Sequence, residues 1–182
     1  LGVGTDGPRF DTNDLNGEPI LNFVDGGADA NIISAITMAD FPTDAFTVYM
    51  VAKLQDEVQT HDYWGSDGST PGHLHVVKHF SEELRVWDNA YQAEVVIPDP
   101  AAWHIIETKF DTVSGDYVNR VNEGTAVAEA GTERELGNFS LGDSVFGTSD
   151  GLYCAEFIVY EVVLSNEDAA SIRSYLASRY GL

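Results

Sequence analysis

The sequence predicts an all-β protein, a two-sheet antiparallel jelly-roll sandwich with one C-terminal α-helix. Strand-like runs recur about every ten residues, separated by Gly, Pro, Asn and Asp, which is the spacing of a sandwich and not of alternating strands and helices. Only the C-terminal segment has helical periodicity. The 182 residues fit a single domain, residues 1–182, that is large enough to bury a core of its own.

The clearest strand is predicted at residues 46–53, which are rich in β-branched and aromatic side chains. Further strands are predicted at residues 20–24, 73–80, 84–87, 93–97, 103–110, 117–121, 125–128 and 154–163. Trp103 begins one of these runs and is predicted to lie in the core. The run 154–163 is apolar almost throughout, so we expect it inside a sheet and not at an edge.

The helix is predicted over residues 166–180. Ser165 and Asp168 form an N-terminal capping pair, because the hydroxyl can accept a free backbone N–H and the acid favours the positive end of the helix. An apolar stripe at three- and four-residue steps consists of Ala169, Ile172, Leu176 and Tyr180. Gly181 ends the helix, and the stripe predicts that it packs against the sandwich.

The charge balance limits the partners of the chain. It has 9 Lys and Arg against 30 Asp and Glu, a formal net charge of -21. No cluster of cations is present to bind nucleic acid or an anionic membrane surface, and no run of about 18 apolar residues could insert into a membrane. A strongly acidic surface suits high ionic strength and offers carboxylates to divalent cations, so an extracellular setting is expected.

Two smaller features bear on chemistry and origin. Cys154 is the only cysteine, so an intramolecular disulfide is excluded, and its strand setting predicts a buried small hydrophobic residue. The chain begins Leu-Gly-Val-Gly, without Met or a signal peptide. We therefore expect a processed product or a piece of a larger polypeptide.

Several stretches resemble bacterial or phage laminin-G-like domains of the concanavalin-A-like lectin and glucanase superfamily. Residues 155–182 resemble their closing strand and helix, with a Leu-Ser helix start and a Tyr-Gly finish, and residues 15–27 are similar to their opening strand. Segments resembling internal strands follow in the same order at residues 46–53, 103–107 and 117–119. The resemblance implies the sandwich with a terminal helix, and it raises the expectation of a calcium ion at the sandwich rim.

Catalytic residues are not evident. Sandwich glycosidases need two carboxylates about 5 to 10 Å apart, commonly alternating along one strand. Glu156 and Glu161 are five residues apart and are expected on opposite faces. Residues 82–85 resemble the arginine strand of alginate-lyase sandwiches, but the partner strands are missing. We predict that the chain is not an enzyme, with a glycoside hydrolase or polysaccharide lyase as an alternative.

Glycan binding requires exposed aromatic rings together with polar groups that fix sugar hydroxyls. Tyr63 and Trp64 lie in a loop-like stretch, and Trp87 and Asn89 follow a strand end beside Tyr91. These five residues are the predicted ligand-binding site. For the two tryptophans the alternative is a packing role in the core.

Two metal sites are considered. Calcium takes oxygen ligands from compact acidic loops, and the candidate ligands are Asp25, Asp29 and Asn31. Zinc takes imidazole, but alternating histidines in a strand are also common as solvated surface residues. The histidines concerned are His73, His75 and His79, with His61 in a preceding segment.

These observations predict a non-catalytic binding or adhesion module of an extracellular or virion-surface protein, which recognises glycans or a surface protein partner through its rim loops. The alternative is a structural or decoration subunit of a capsid, tail or filament. Either setting is compatible with a chain that is part of a larger polypeptide or of a homo-oligomeric assembly.

Overall fold

The computed structural model describes residues 9–23, 33–36, 45–54, 61–67, 73–79, 83–87, 91–111, 113–131, 138–141 and 152–182. These residues contain thirteen β-strands and one α-helix. The strands are β1 (Arg9–Leu15), β2 (Glu18–Asn22), β3 (Ile33–Ile36), β4 (Ala45–Leu54), β5 (His61–Asp67), β6 (His73–His79), β7 (Glu83–Trp87), β8 (Tyr91–Val96), β9 (His104–Asp111), β10 (Asp116–Val121), β11 (Val127–Ala130), β12 (Asn138–Leu141) and β13 (Leu152–Tyr160). The helix is α1 (Asn166–Tyr180).

The strands form two antiparallel sheets. The seven-stranded sheet has the order β1-β2-β13-β4-β9-β10-β11, and the six-stranded sheet has the order β3-β12-β5-β6-β7-β8. The predicted all-β sandwich with a C-terminal helix is confirmed. β13 lies inside the seven-stranded sheet, between β2 and β4, as its apolar content predicted.

The central strand β4 is buried on both faces. Phe46, Val48 and Met50 belong to the core between the two sheets, whereas Tyr49 and Val51 belong to a second core beneath α1. Because both faces of β4 are buried, apolar residues follow one another along the strand instead of alternating with polar ones. The helix therefore covers the outer face of the seven-stranded sheet.

The helix has the predicted bounds and caps. The Ser165 hydroxyl accepts the Asp168 backbone N–H at 3.1 Å, and Gly181 adopts a left-handed conformation with φ of 72°. The buried residues are Ala169, Arg173, Leu176 and Tyr180. Arg173 is the member that the apolar stripe did not predict. Within the described residues, no helix has the length and hydropathy to cross a membrane.

A buried ionic cluster joins the helix to β9. Glu107, only 1% exposed, forms ion pairs with Arg173 of α1 and with Lys109, whose Nζ lies 3.1 Å from a Glu107 carboxylate oxygen. Arg120 Nε lies 4.0 Å from the same carboxylate. Buried charges are tolerated when they are paired, so these contacts fix the helix at one position on the sheet.

Cys154 is buried in β13, as predicted. Its thiol donates to the Glu156 carbonyl at 3.4 Å, and burial raises the pKa of the thiol to about 12. The thiol is therefore protonated at neutral pH, which disfavours its action as a nucleophile.

Candidate functional site

The prediction that Tyr63 and Trp64 form an exposed aromatic platform is wrong. Both residues are 0% exposed in the core between the sheets. Asp62 pairs with Val77 and Trp64 pairs with Val76, so Tyr63 is the extra residue of a β-bulge in β5. The bulge interrupts the alternation of the strand, and both neighbouring aromatic residues lie inside. The predicted loop in this region is a strand.

The remaining aromatic candidates are brought together by strand register. Trp87 ends β7 and Tyr91 begins β8, and the two residues are directly opposite each other. Trp87 also pairs with His75 of β6, the strand on the other side of β7, and His75 in turn pairs with Gly65 of β5. Gly65, His75, Trp87 and Tyr91 form one line across four strands, here called the aromatic row. Asn89, between Trp87 and Tyr91 in the sequence, lies outside the described residues.

The faces of the six-stranded sheet are given by the described residues beside the aromatic row. Leu84 and Val86 of β7 are fully buried in the core between the sheets. Because successive residues of a strand lie on opposite faces, Arg85 is placed on the outer face. The helix packs on the other sheet. The strand positions of the aromatic row therefore lie next to an outer-face residue, Arg85, on the sheet that the helix leaves uncovered.

Arg85 is held by carboxylates on both sides. Its guanidinium forms an ion pair with Glu83 on the same strand, and its Nε lies 3.2 Å from the Glu94 carboxylate of β8. The Arg85 side chain is 13% exposed, whereas the Glu94 side chain is 41% exposed. The outer face thus presents a paired cation, Arg85, two residues from Trp87 along β7, and beside it the more exposed carboxylate of Glu94.

A second bulge lies beside the row, in β8. Ala93 and Glu94 stand opposite the single residue Arg85, and Ala93 has a positive φ of 50°, which is unfavourable for a residue with a Cβ. Its N–H donates to Glu129 Oε2 at 2.7 Å, and its carbonyl accepts from Asn119 Nδ2 at 3.0 Å. The seven-stranded sheet therefore fixes the backbone of β8 in this conformation.

The two bulges lie at the same level of the six-stranded sheet. Tyr63 is inserted beside Val77 of β6, Val77 pairs with Arg85, and Arg85 faces the bulge at Ala93. Bulges bend a strand and increase its twist. Both bulged strands, β5 and β8, are therefore expected to bend next to the aromatic row. Neither bulge contains the glycine that often marks one in a sequence.

The predicted core position of Trp103 is confirmed in part. It precedes β9 and is half-buried at the margin of the core beneath the helix, not between the sheets. Lys53 Nζ lies 4.9 Å from the centre of the Trp103 ring and 4.7 Å from that of Tyr153. Trp103 therefore lies on the sheet opposite to the aromatic row.

The predicted metal ligands have no described geometry. Asp25, Asp29 and Asn31 lie outside the described residues. In the part of the chain that the structure describes, no group of three or more His, Cys, Asp and Glu residues could hold a metal ion. For the candidate zinc ligands His61, His73, His75 and His79, the structure describes the strand positions but not the side chains.

Comparison with known proteins identifies no family for this chain, but solved structures with a similar fold are found. No family model matches the chain, and no curated protein matches it significantly. The carbohydrate-binding module CBM40 of the Ruminococcus gnavus IT-sialidase matches with a TM-score of 0.58 and 14% identity, over 72% of this chain and 84% of the module. The same module is also known bound to α2,3-sialyllactose.

Two larger proteins contain a similar region. Botulinum neurotoxin type C, whose cell entry depends on interaction with two ganglioside molecules, matches with a TM-score of 0.68 and 12% identity, over 92% of this chain and 45% of that chain. Trypanosoma rangeli sialidase, in complex with the inhibitor DANA, matches with a TM-score of 0.59 and 14% identity, over 74% of this chain and 23% of that chain. This chain thus spans less than half of each larger protein, and the likeness shows the shared sandwich fold.

Proposed function

We propose that this chain is a non-catalytic module that binds a glycan at the outer face of its six-stranded sheet. The observation that carries the proposal is the register that sets Trp87 directly opposite Tyr91, with His75 on the other side of Trp87. Glycan sites combine aromatic residues, which stack on sugar C–H groups, with polar groups for the hydroxyls. Arg85 and Glu94 supply polar groups on the same face.

Binding is favoured over cleavage for two reasons. Of the three similar structures, the one matched over most of its own length is a carbohydrate-binding module, whereas the sialidase is matched over only 23% of its chain. In addition, the buried carboxylate Glu107 is enclosed beneath the helix among cations. It is not part of an open cleft with a second acid, as glycosidic cleavage requires.

The proposal predicts that Trp87→Ala and Tyr91→Ala each weaken glycan binding at least tenfold, which corresponds to about 1.4 kcal/mol. Loss of a ring removes a stacking surface from the row. The measurement is a glycan array with the wild-type chain, followed by calorimetric titration of its strongest binder into each variant.

The matched control for this experiment is Trp103→Ala, which removes the same side chain from the opposite sheet. This variant is expected to bind the glycan as the wild type does. Equal weakening by Trp87→Ala and Trp103→Ala would contradict a site on the outer face, and an array without any binder would contradict glycan recognition itself.

Calcium binding at Asp25, Asp29 and Asn31 is a further part of the proposal. The net charge of -21 favours uptake of a divalent cation, and these residues offer the oxygen ligands that calcium prefers. Calorimetry on chelator-treated protein should show saturable heat on adding calcium, lost in the Asp25→Asn, Asp29→Asn double variant. Absence of heat with the wild type would reject the site.

The biological setting follows from the same proposal. We place the module in a laminin-G-like protein of the extracellular space or virion surface, within a larger polypeptide or assembly. The alternative, a structural subunit of a capsid, tail or filament, predicts that native mass spectrometry of material from its source finds the chain in a large assembly and that no glycan binds.

A further inference from the structure

We infer that the glycan recognised at the outer face is uncharged, and that sugars bearing a carboxylate, such as sialic acid, bind there more weakly than their neutral counterparts. The inference rests on the proposed function and names the ligand class of the same site. It is carried by the contacts of Arg85, the cation on this face that lies two residues before Trp87 in β7.

The charge of Arg85 is already compensated. Its guanidinium is paired with both Glu83 and Glu94. Charge-assisted hydrogen bonds to a guanidinium are the usual means of binding a carboxylate. A ligand carboxylate at Arg85 would have to displace one of these two acids and would remain beside the other.

The limited exposure of Arg85 further disfavours the binding of a ligand carboxylate. Its side chain is 13% exposed, while those of Glu83 and Glu94 are 26% and 41% exposed. The two carboxylates are therefore more accessible to a ligand than the guanidinium. Like charges brought together at a recognition surface are unfavourable, so carboxylates at a binding site suppress the binding of anionic partners.

The protein as a whole repels anions. Its formal net charge is -21, and several of its cations are engaged on the other sheet, where Lys109, Arg120 and Arg173 surround Glu107. The summed field of such a protein slows the association of anionic ligands. Neutral sugars are not subject to this repulsion.

Uncharged sugars suit the groups that the face offers. An ionised carboxylate such as that of Glu94 has several acceptor positions, so it can accept hydrogen bonds from sugar hydroxyls while keeping its pair with Arg85. The aromatic row lies next to it. The combination of stacking and hydroxyl recognition requires no charge on the ligand.

The test compares glycan pairs that differ only by a terminal sialic acid, beginning with lactose and α2,3-sialyllactose. The full chain is titrated with both members of each pair that gives binding on an array. The neutral member is expected to bind at least tenfold tighter. Glu94→Gln, which releases part of the Arg85 charge, is expected to reduce this preference at least threefold.

Glu167→Gln is the matched control, because it removes the same charge from an exposed position in the first turn of α1 and should leave the preference unchanged. Equal or tighter binding of the sialylated member by the wild type would overturn the inference, and so would an equal effect of Glu94→Gln and Glu167→Gln. Absence of binding to every glycan would instead overturn the proposed function, which distinguishes the two failures.

Discussion

Replacement of Glu107 with glutamine is expected to lower the free energy of unfolding by about 3–5 kcal/mol, the range found when one partner of a buried ion pair is removed. Glutamine has nearly the same shape, so the effect comes from the lost charge. Chemical denaturation in urea, followed by circular dichroism, measures the difference.

The size of this effect follows from the number of cations that depend on one carboxylate. Glu107 is 1% exposed and contacts Arg173, Lys109 and Arg120. Without its charge, Arg173 on the inner face of α1 has no compensation from β9. The helix is then expected to lose its fixed position before the sandwich itself unfolds.

Glu123→Gln is the control, because Glu123 contacts the same Arg173 at 3.4 Å but its side chain is 64% exposed. An exposed ion pair contributes about 0–1 kcal/mol, so this variant should be nearly as stable as the wild type. A Glu107→Gln variant that unfolds within about 1 kcal/mol of the wild type would contradict the role given to the cluster.

Trp64→Ala is expected to destabilise the protein by about 3–5 kcal/mol, as large-to-small changes of core aromatic residues do. Trp64 is fully buried and makes edge-to-face contacts with Phe46 and Phe157, at ring-centre distances of 6.0 and 6.3 Å. Thermal unfolding and denaturant titration measure the loss.

This variant also tests two interpretations of Trp64 against each other. The structure places the side chain in the core, whereas the sequence predicted an exposed surface that binds glycan. Trp103→Ala, which removes a half-buried tryptophan, is the comparison and should cost clearly less stability. A Trp64→Ala variant that keeps the wild-type stability but no longer binds glycan would show that the side chain contacts ligand, contrary to the structure.

The helix could be predicted closely from the sequence because its signals are local. Ser165, Asp168 and Gly181 occupy the cap positions that the residue types indicated. The strand containing Phe46 was equally clear, since burial on both faces leaves an unbroken apolar run. Arg173 was missed because its partner Glu107 lies 66 residues away in the chain.

Short or polar strands and the bulges could not be predicted. β1, β3, β5 and β12 lack the continuous β-branched character of a core strand. The bulge at Tyr63 leaves no mark in composition, yet it moves two aromatic residues into the core. Ala93 takes a conformation usually left to glycine, because Glu129 and Asn119 of the other sheet hold its backbone.

The candidate site was found in part. Trp87 and Tyr91 are close in sequence, so their proximity could be predicted, but their directly opposite positions follow from the register of β7 with β8. His75 joins the row only through the pairing of β6 with β7, which no sequence pattern specified.

The central claim, that the outer face of the six-stranded sheet binds a glycan, is tested most directly by following backbone amide signals by NMR during titration with the strongest array binder. The predicted result is that the largest shifts occur in β5 to β8, at Gly65, His75, Trp87 and Tyr91. Shifts confined to β4, β9 and α1 would contradict the account.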